Sequence, residues 1–362
     1  MKVGILTFHN AHNYGAILQS YALLHILKSL KFEASIINYR VKSIDEYYNL
    51  WKKPNIYLRG LKKSPFHFIY RIFKTIIEIP FKYLRRRKFI SFQKSYLELA
   101  SIADNIIWDA IVCGSDQIWN PRHTKGLRKE YFGYFPKSPQ NISYAASIGE
   151  HDFFDEKEQI EFKNLLNNLD IISVREIKTK LICQKLTGRD VKLVLDPVFL
   201  LSKKEWDLLE IKPKISDRYI LIYDLNKDPL IMERAIHLSK KNKLRIIEIE
   251  VSDFSPSKWK KIYSAGPLEF IGWIKNAEFI FTSSYHGTIF SILYNKNFYS
   301  SDIARINDLL NQIGLSSRIL SDFNKEILPI NNAEYELVNN LINRRIDESK
   351  SFLINSLKMN KN

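Results

Sequence analysis

Five short polar runs in this 362-residue chain hold the residue types that bind and transform small anions. His9-Asn10-Ala11-His12-Asn13-Tyr14-Gly15 leads from an apolar run into a helical pattern. Helix-start N–H groups favour anions, and Gly15 lets the backbone approach a ligand closely. Asn13 either faces that ligand or caps the helix. His9 and His12 stand three apart, but no carboxylate or thiol pattern accompanies them, so no metal site is assigned. Cys113-Gly114-Ser115-Asp116-Gln117-Ile118-Trp119-Asn120-Pro121 packs a hydroxyl, a carboxylate and two amides together. Turn chemistry is one use for them. The other is a cleft-facing Asp116 that accepts a proton from a substrate hydroxyl, with Ser115 beside it. In Ser173-Val174-Arg175-Glu176, an arginine ends a buried run and needs an anion, supplied by Glu176 or by a ligand. Asp196-Pro197 reads as a loop start. Thr282-Ser283-Ser284-Tyr285-His286-Gly287-Thr288 sets His286 at a helix start, placed to polarise or protonate a ligand. Ser284 and the N–H of Gly287 can hold an anion there. Finally, Asp302-Ile303-Ala304-Arg305 offers Arg305 either as the second half of an anion clamp with Arg175 or as a partner for Asp302 or Asp308.

Each run follows a short β-branched segment, and loops after strand ends are where ligands bind in doubly wound folds. Strands are expected at 2–8, 34–39, 109–113, 141–146, 170–174 and 191–195, with helices from about 16 to 30 and 155 to 168. A charged stretch at 202–217 separates these from a second alternating series. That series has strands at 219–225, 244–250, 278–283 and 297–301, with helices near 229–240, 267–276 and 286–294. The alternation predicts an α/β fold of two Rossmann-like, doubly wound domains facing a cleft. The expected domains are 1–203, interrupted by a basic amphipathic insertion at about 45–95, then 204–330, then a C-terminal helical tail at 331–362.

Lys and Arg outnumber Asp and Glu by 55 to 39, a net charge of +16. Residues 51–90 hold twelve of the cations and one acid, Glu78, so most of the excess is local. In the same segment Ile69, Phe73, Ile76 and Ile77 recur at helical spacing, and Pro80 is expected to end or kink the helix. Three uses compete: a solvated basic helix on the core, an amphipathic helix on an anionic membrane surface, or nucleic-acid binding, for which no motif is present. Cys113 and Cys183 are too few for a disulfide framework and suit a reducing compartment. The N-terminal apolar run is too short for a signal-peptide core, and no uninterrupted run of about 18 apolar residues occurs. The expectation is a cytoplasmic protein, with the basic segment as a candidate for contact with the inner membrane face. G-x-G-x-x-G, P-loop, G-x-S-x-G and H-E-x-x-H motifs are absent, against simple dehydrogenase, NTPase, hydrolase and metalloprotease readings.

As an ordered set the chemical runs resemble the polysaccharide pyruvyl transferase family. The resemblance rests on GILTFHNAHNYGAILQSYAL at 4–23, VCGSDQIWNP at 112–121, SYAASIG at 143–149, SVRE at 173–176, LDPVFLL at 195–201 and SSYHGTIFSILYNKNF at 283–298. It implies a fold similar to the glycosyltransferase-B type and transfer of pyruvate from phosphoenolpyruvate to a sugar as a ketal, with no redox cofactor and no required metal. The family's strand-end Arg matches Arg175, its His matches His286, and a later basic residue, commonly Lys, matches Arg305. Tyr285 stands where some members carry Arg. The implied roles are His286 as acid and Asp116 as base. Arg175, Arg305, Asn13, Gly15, Ser115, Ser284 and Gly287 then form the substrate-binding set. The acceptor would be a sugar or a lipid-linked glycan. Two other functions fit the architecture: a nucleotide-sugar glycosyltransferase, for which Glu269 is a candidate ribose contact, and a catalytically inactive glycan- or anion-binding protein.

Overall fold

The computed structural model describes residues 1–48, 65–104, 106–135, 140–153, 155–251, 257–323 and 326–358. The expected insertion residues 49–64, with Lys52, Lys53, Arg59, Lys62 and Lys63, lie outside the described residues. The first domain carries β1 (Lys2–Leu6), β2 (Glu33–Ile37), β3 (Leu99–Ala100), β4 (Ala110–Cys113), β5 (Asn141–Ser143), β6 (Ile172–Val174) and β7 (Val191–Leu193). Its helices are α1 (Tyr14–Ser29), α2 (Lys42–Tyr47), α3 (Pro65–Tyr96), α4 (Pro121–Thr124), α5 (Glu156–Leu166) and α6 (Ile177–Thr187), and α7 (Lys203–Asp207) leads out of the domain. The second domain carries β8 (Tyr219–Tyr223), β9 (Arg245–Ile249), β10 (Lys260–Ile262), β11 (Phe279–Thr282), β12 (Asn297–Ser301) and β13 (Ile319–Leu320). Its helices are α8 (Pro229–Asn242), α9 (Pro267–Lys275), α10 (Tyr285–Leu293) and α11 (Ala304–Gln312), and α12 (Asn332–Lys358) ends the chain.

Every strand pairing is parallel. The first sheet runs β3-β2-β1-β4-β5, and single bridges from Ile142 to Ile171 and from Ala146 to Val174 join it to β6-β7. The second runs β10-β9-β8-β11-β12-β13. The central strands β4, β8 and β11 are buried along their whole length, as a parallel sheet covered on both faces requires. Strand order reverses between β1 and β4 in the first sheet and between β8 and β11 in the second. Those two switch points open the crevices where ligands bind.

Two helices hold the domains together. Helix α1 is buried on nearly every side because it lies between the first sheet and the second domain. Its Tyr14 stacks on Phe270 of α9 at 4.4 Å and donates to the Ala265 carbonyl at 2.8 Å. The terminal helix α12 returns to the first domain, where Leu195 N donates to Ser349 Oγ at 3.0 Å and Gln140 Nε2 donates to the Ser356 carbonyl at 2.6 Å.

Four expectations need correction. The first domain has a seventh strand, the two-residue β3, which carries too little pattern to be seen in the sequence. The second domain adds β10, β13 and α11. Pro80 does not end α3, which runs on to Tyr96. Its missing N–H would bond the carbonyl of Ile76, and Ile76 is 60% exposed, so water can take that carbonyl. Of the expected apolar stripe, the Ile69 side chain lies outside what is described, Ile77 is half-buried, and Phe73 and Ile76 are exposed, while Phe89 and Phe92, nearer the C-terminus, enter the core.

Candidate active site

The loops at both switch points converge on one cavity of about 560 Å3. Its lining includes Asn13, Asp116, Arg175, Ser284, His286 and Arg305. Six of the nine sequence-predicted site residues therefore meet there, drawn from both domains. The two helices that bring them together start head to head. Asn13 caps α1, its Oδ1 accepting from Ala16 N at 3.2 Å. Ser284 caps α10, its Oγ accepting from Gly287 N at 3.2 Å. Both residues thus cap a helix and face the cavity at once.

Below the cavity floor lies a buried ionic network centred on Arg175. Its Nε donates to Glu176 at 2.8 Å, Nη1 to Asp196 at 2.8 Å, and Nη2 to Asp116 at 3.3 Å. The guanidinium also lies 4.5 Å from the ring centroid of Tyr285, a cation–π contact. Three protein carboxylates therefore answer the question left open for Arg175: its charge is largely matched from within. Asp196 Oδ2 is 3.4 Å from His286 Nε2, an ion-pair distance without hydrogen-bond geometry. Burial alone would raise the carboxyls of Asp196 and Asp116, but the charges of His286 and Arg175 outweigh it and hold both below the ordinary aspartate value. Both are ionised at neutral pH. Asp116, with its side chain 14% exposed, is the one that borders the cavity.

The other three predicted residues stand behind the lining. Ser115 is fully buried; its Oγ donates to Ala145 O and Asp196 Oδ2, both at 3.2 Å, so it orients the network and touches no ligand space. Gly15 gives its close approach to His286: a Cβ there would lie 2.0 Å from Nδ1 of that imidazole. Gly287 is packed similarly, with a Cβ falling 2.5 Å from Thr282 Oγ1, and its N–H is taken by Ser284. Ser283 is also engaged, donating to Asp224 Oδ1 at 2.6 Å. His9 bonds Thr7 O and Asn38 Oδ1 through its two ring nitrogens, whereas His12 packs against Tyr48 and Phe89. Glu269 bonds the N–H of Gly266 and pairs with Lys88, so it is occupied in capping α9.

Arg305 pairs with neither Asp302 nor Asp308. Asp302 accepts from Asn307, and Asp308 from Ile177 N and Gln312. The Nε of Arg305 is buried without a hydrogen-bond partner, although it borders the cavity. Unpaired buried donors are rare and mark a place for a ligand or water. Arg122 of α4 and Lys125, the residue that follows that helix, extend the cationic wall, and His123 lines it beside them, its pKa lowered by burial. Sequence reasoning missed them, though Asn120-Pro121 is a helix-start signal: Asn120 Oδ1 accepts from Arg122 N at 3.1 Å with Pro at the first helical position. It also missed Asp196, read as a loop start. The usable signal was an acid in the loop after one strand beside an Arg ending its neighbour. The cavity thus has an anionic floor and a cationic wall. The ionised carboxylate of Asp116 and the imidazole of His286 border the same space.

The family model for polysaccharide pyruvyl transferase matches residues 13–302, from the cap of α1 to the end of β12. No curated protein sequence matches significantly. Among solved structures, the UDP-GlcNAc 2-epimerase of Methanocaldococcus jannaschii is similar at a TM-score of 0.52, with 14% identity and 99% of each chain covered. The UDP-GlcNAc 2-epimerase of Neisseria meningitidis is similar at 0.50, with 10% identity, covering 99% of this chain and 100% of the other. At such identities the likeness speaks for the fold alone, the two-domain glycosyltransferase-B type. The family match spans both domains and most of the residues that line the cavity, stopping short of Phe8, Ala11 and Arg305, and on that ground the chain belongs to the polysaccharide pyruvyl transferase family and is a transferase.

Proposed function

We propose that this protein moves pyruvate from phosphoenolpyruvate to a sugar of a cell-surface polysaccharide or its precursor, forming a pyruvate ketal. The observation that carries the reading is the single cavity in which Arg305, with its unpartnered Nε, shares walls with His286 and Asp116. Phosphoenolpyruvate is small and strongly anionic. Arg305, Arg122 and Lys125 supply charge for its phosphate and carboxylate. Arg175, already matched by carboxylates, acts by holding Asp116 and Asp196 in place.

His286 has Nε2 toward Asp196 and Nδ1 beside Gly15, and its ring borders the cavity as the proton donor. Transfer of a proton from the imidazolium to the enol methylene converts CH2 to CH3 and leaves the central carbon electrophilic. Asp116 accepts the proton of the attacking sugar hydroxyl. The C–O bond to phosphate breaks, and a second hydroxyl closes the ketal, its proton leaving with inorganic phosphate. One hydroxyl proton thus balances the new methyl group and the other the phosphate.

The nucleotide-sugar alternative loses its one candidate ribose contact, because Glu269 is committed to the start of α9. For the acceptor, we propose presentation at the inner face of an anionic membrane. No helix among the described residues is long and apolar enough to cross a membrane. The outer face of α3 nevertheless exposes Phe73, Ile76, Tyr83 and Leu84 by 63%, 60%, 49% and 45%. At 3.6 residues per turn all four fall on about one third of the helix circumference, within a strongly basic segment, the pattern of a helix lying in the interface.

The test is thermal stability with phosphoenolpyruvate against a panel of nucleotide sugars. Ligand at about 100 times its dissociation constant adds roughly 2.7 kcal/mol to stability. A shift with phosphoenolpyruvate is expected in the wild type and should weaken about tenfold or more in affinity in Arg305→Gln, where a charged contact is lost. A shift with a nucleotide sugar alone would overturn the donor assignment.

A further inference from the structure

A second cavity, of about 820 Å3, lies beside the active site between α2, α3 and the loop after β1. Its cationic lining is Arg40, Lys42, Arg86 and Lys94, and Tyr48 is common to its wall and that of the catalytic cavity. Two carboxylates also line it: Asp45, engaged by Asn10, and Glu46. Lys42, Arg86 and Lys94 make no hydrogen bond or ion pair with a described residue, in contrast to Lys88, which pairs with Glu269. We propose that this cavity binds the diphosphate of the acceptor, so that the sugar it carries reaches past Tyr48 toward Asp116. The identity of the ligand as acceptor rests on the pyruvyl transferase reading; the affinity for diphosphate does not.

Three features favour a diphosphate. Three uncommitted cations on two helices, Lys42 on α2 and Arg86 and Lys94 on α3, converge on one space, which a multiply charged anion can bridge and a neutral sugar cannot use. The local field is positive: His12, on the wall, has its pKa lowered to about 4 by burial and then by Arg86, Arg85 and Arg40. The space is larger than the catalytic cavity and separate from the residues proposed for the donor, so both substrates can be held together. Arg86 and Lys94 belong to α3, the helix whose other face exposes Phe73 and Leu84. A lipid diphosphate would therefore leave its chain near an apolar surface. A nucleoside diphosphate supplies the same ligand chemistry without that chain.

The experiment is equilibrium binding of inorganic pyrophosphate to the full chain, with and without phosphoenolpyruvate. Saturable binding is expected in the wild type, falling about tenfold for each charge removed in Arg86→Gln and in Arg86→Gln/Lys94→Gln, and retained in Arg305→Gln. These exposed or half-exposed substitutions should leave the melting temperature nearly unchanged, so a loss reports on the cavity. Tighter binding of farnesyl diphosphate than of pyrophosphate assigns the lipid source, and tighter binding of UDP the nucleotide source. Either supports the site if Arg86→Gln weakens it. Absence of pyrophosphate binding, equal affinity in the double variant, or displacement by phosphoenolpyruvate overturns the proposal. Pyrophosphate bound as described by a protein that releases no phosphate from phosphoenolpyruvate would leave the cavity assigned and refute the donor reading instead.

Discussion

Replacing Gly15 by alanine tests the meeting of the two domains at its narrowest point. A Cβ at Gly15 would lie 2.0 Å from His286 Nδ1, 2.4 Å from its Cγ and 2.7 Å from its Cε1. Non-bonded heavy atoms rest at about 3.5–4.0 Å, so the imidazole must retreat by roughly 1.5 Å or the helices must part by as much. A displacement of about 1 Å at a reacting group can cost on the order of 100-fold in rate. The stability effect is smaller. Overpacking costs about 1–3 kcal/mol, and alanine in place of glycine in a helix returns up to about 1 kcal/mol. Gly15→Ala should therefore fold, melt within a few degrees of wild type, and lose about 100-fold in kcat. The assay is phosphate release from phosphoenolpyruvate with a saturating acceptor, paired with the thermal shift produced by phosphoenolpyruvate alone. That shift should persist, because Arg305, Arg122 and Lys125 hold the anion and the methyl group displaces none of them. A folded Gly15→Ala protein with kcat within about threefold of wild type would refute the placement of His286 as the acid.

Other consequences follow from the same geometry. Asp196→Asn leaves Arg175 and His286 without their shared buried carboxylate and should destabilise by about 3–5 kcal/mol at pH 7. The folded-state pKa values of Asp196 and Asp116 are depressed, so their contribution is fully present above the unfolded value of about 3.9 and is lost as pH falls toward the folded values. The stability gap between wild type and Asp196→Asn should accordingly shrink in urea melts taken below about pH 4; a gap unchanged at pH 3 would count against it. On the outer face of α3, Phe73→Ser/Ile76→Ser/Leu84→Ser should reduce flotation with anionic liposomes by more than about 100-fold, taking about 1.5–3 kcal/mol per buried apolar side chain. Its melting temperature should hold, since the three side chains are exposed in the folded protein. Undiminished flotation would remove the membrane assignment.

Local pattern was enough for the alternation of strands and helices, because a parallel strand buried on both faces must be a short apolar run. β4, β8 and β11 are such runs. It was also enough to place Asn13, Asp116, Arg175, Ser284, His286 and Arg305 at strand ends or helix starts, which is why their loops could be read as chemical. Short pieces such as β3 and β13 escaped because two residues carry no period. Pro80 misled because its local rule was overridden by a helix anchored further along at Phe89 and Phe92.

What no local rule could supply was the partner of each charged group. Arg175 and Asp196 are 21 positions apart, and Asp116 is 59 from Arg175. Only the order of the sheet sets β4, β6 and the end of β7 close enough for three carboxylates to surround one guanidinium. The space left by Gly15 was legible as a close approach, but that the approaching group is His286, from the other domain, depended on α1 and α10 meeting head to head. The sequence by itself determined which elements form and which side chains stand at their ends, since backbone geometry and burial are dictated within a few turns of chain. The tertiary structure alone decided which of those charges neutralise one another and which, like that of Arg305, find no carboxylate among the described residues. Electrostatic energy depends on distances in space that the chain order does not contain.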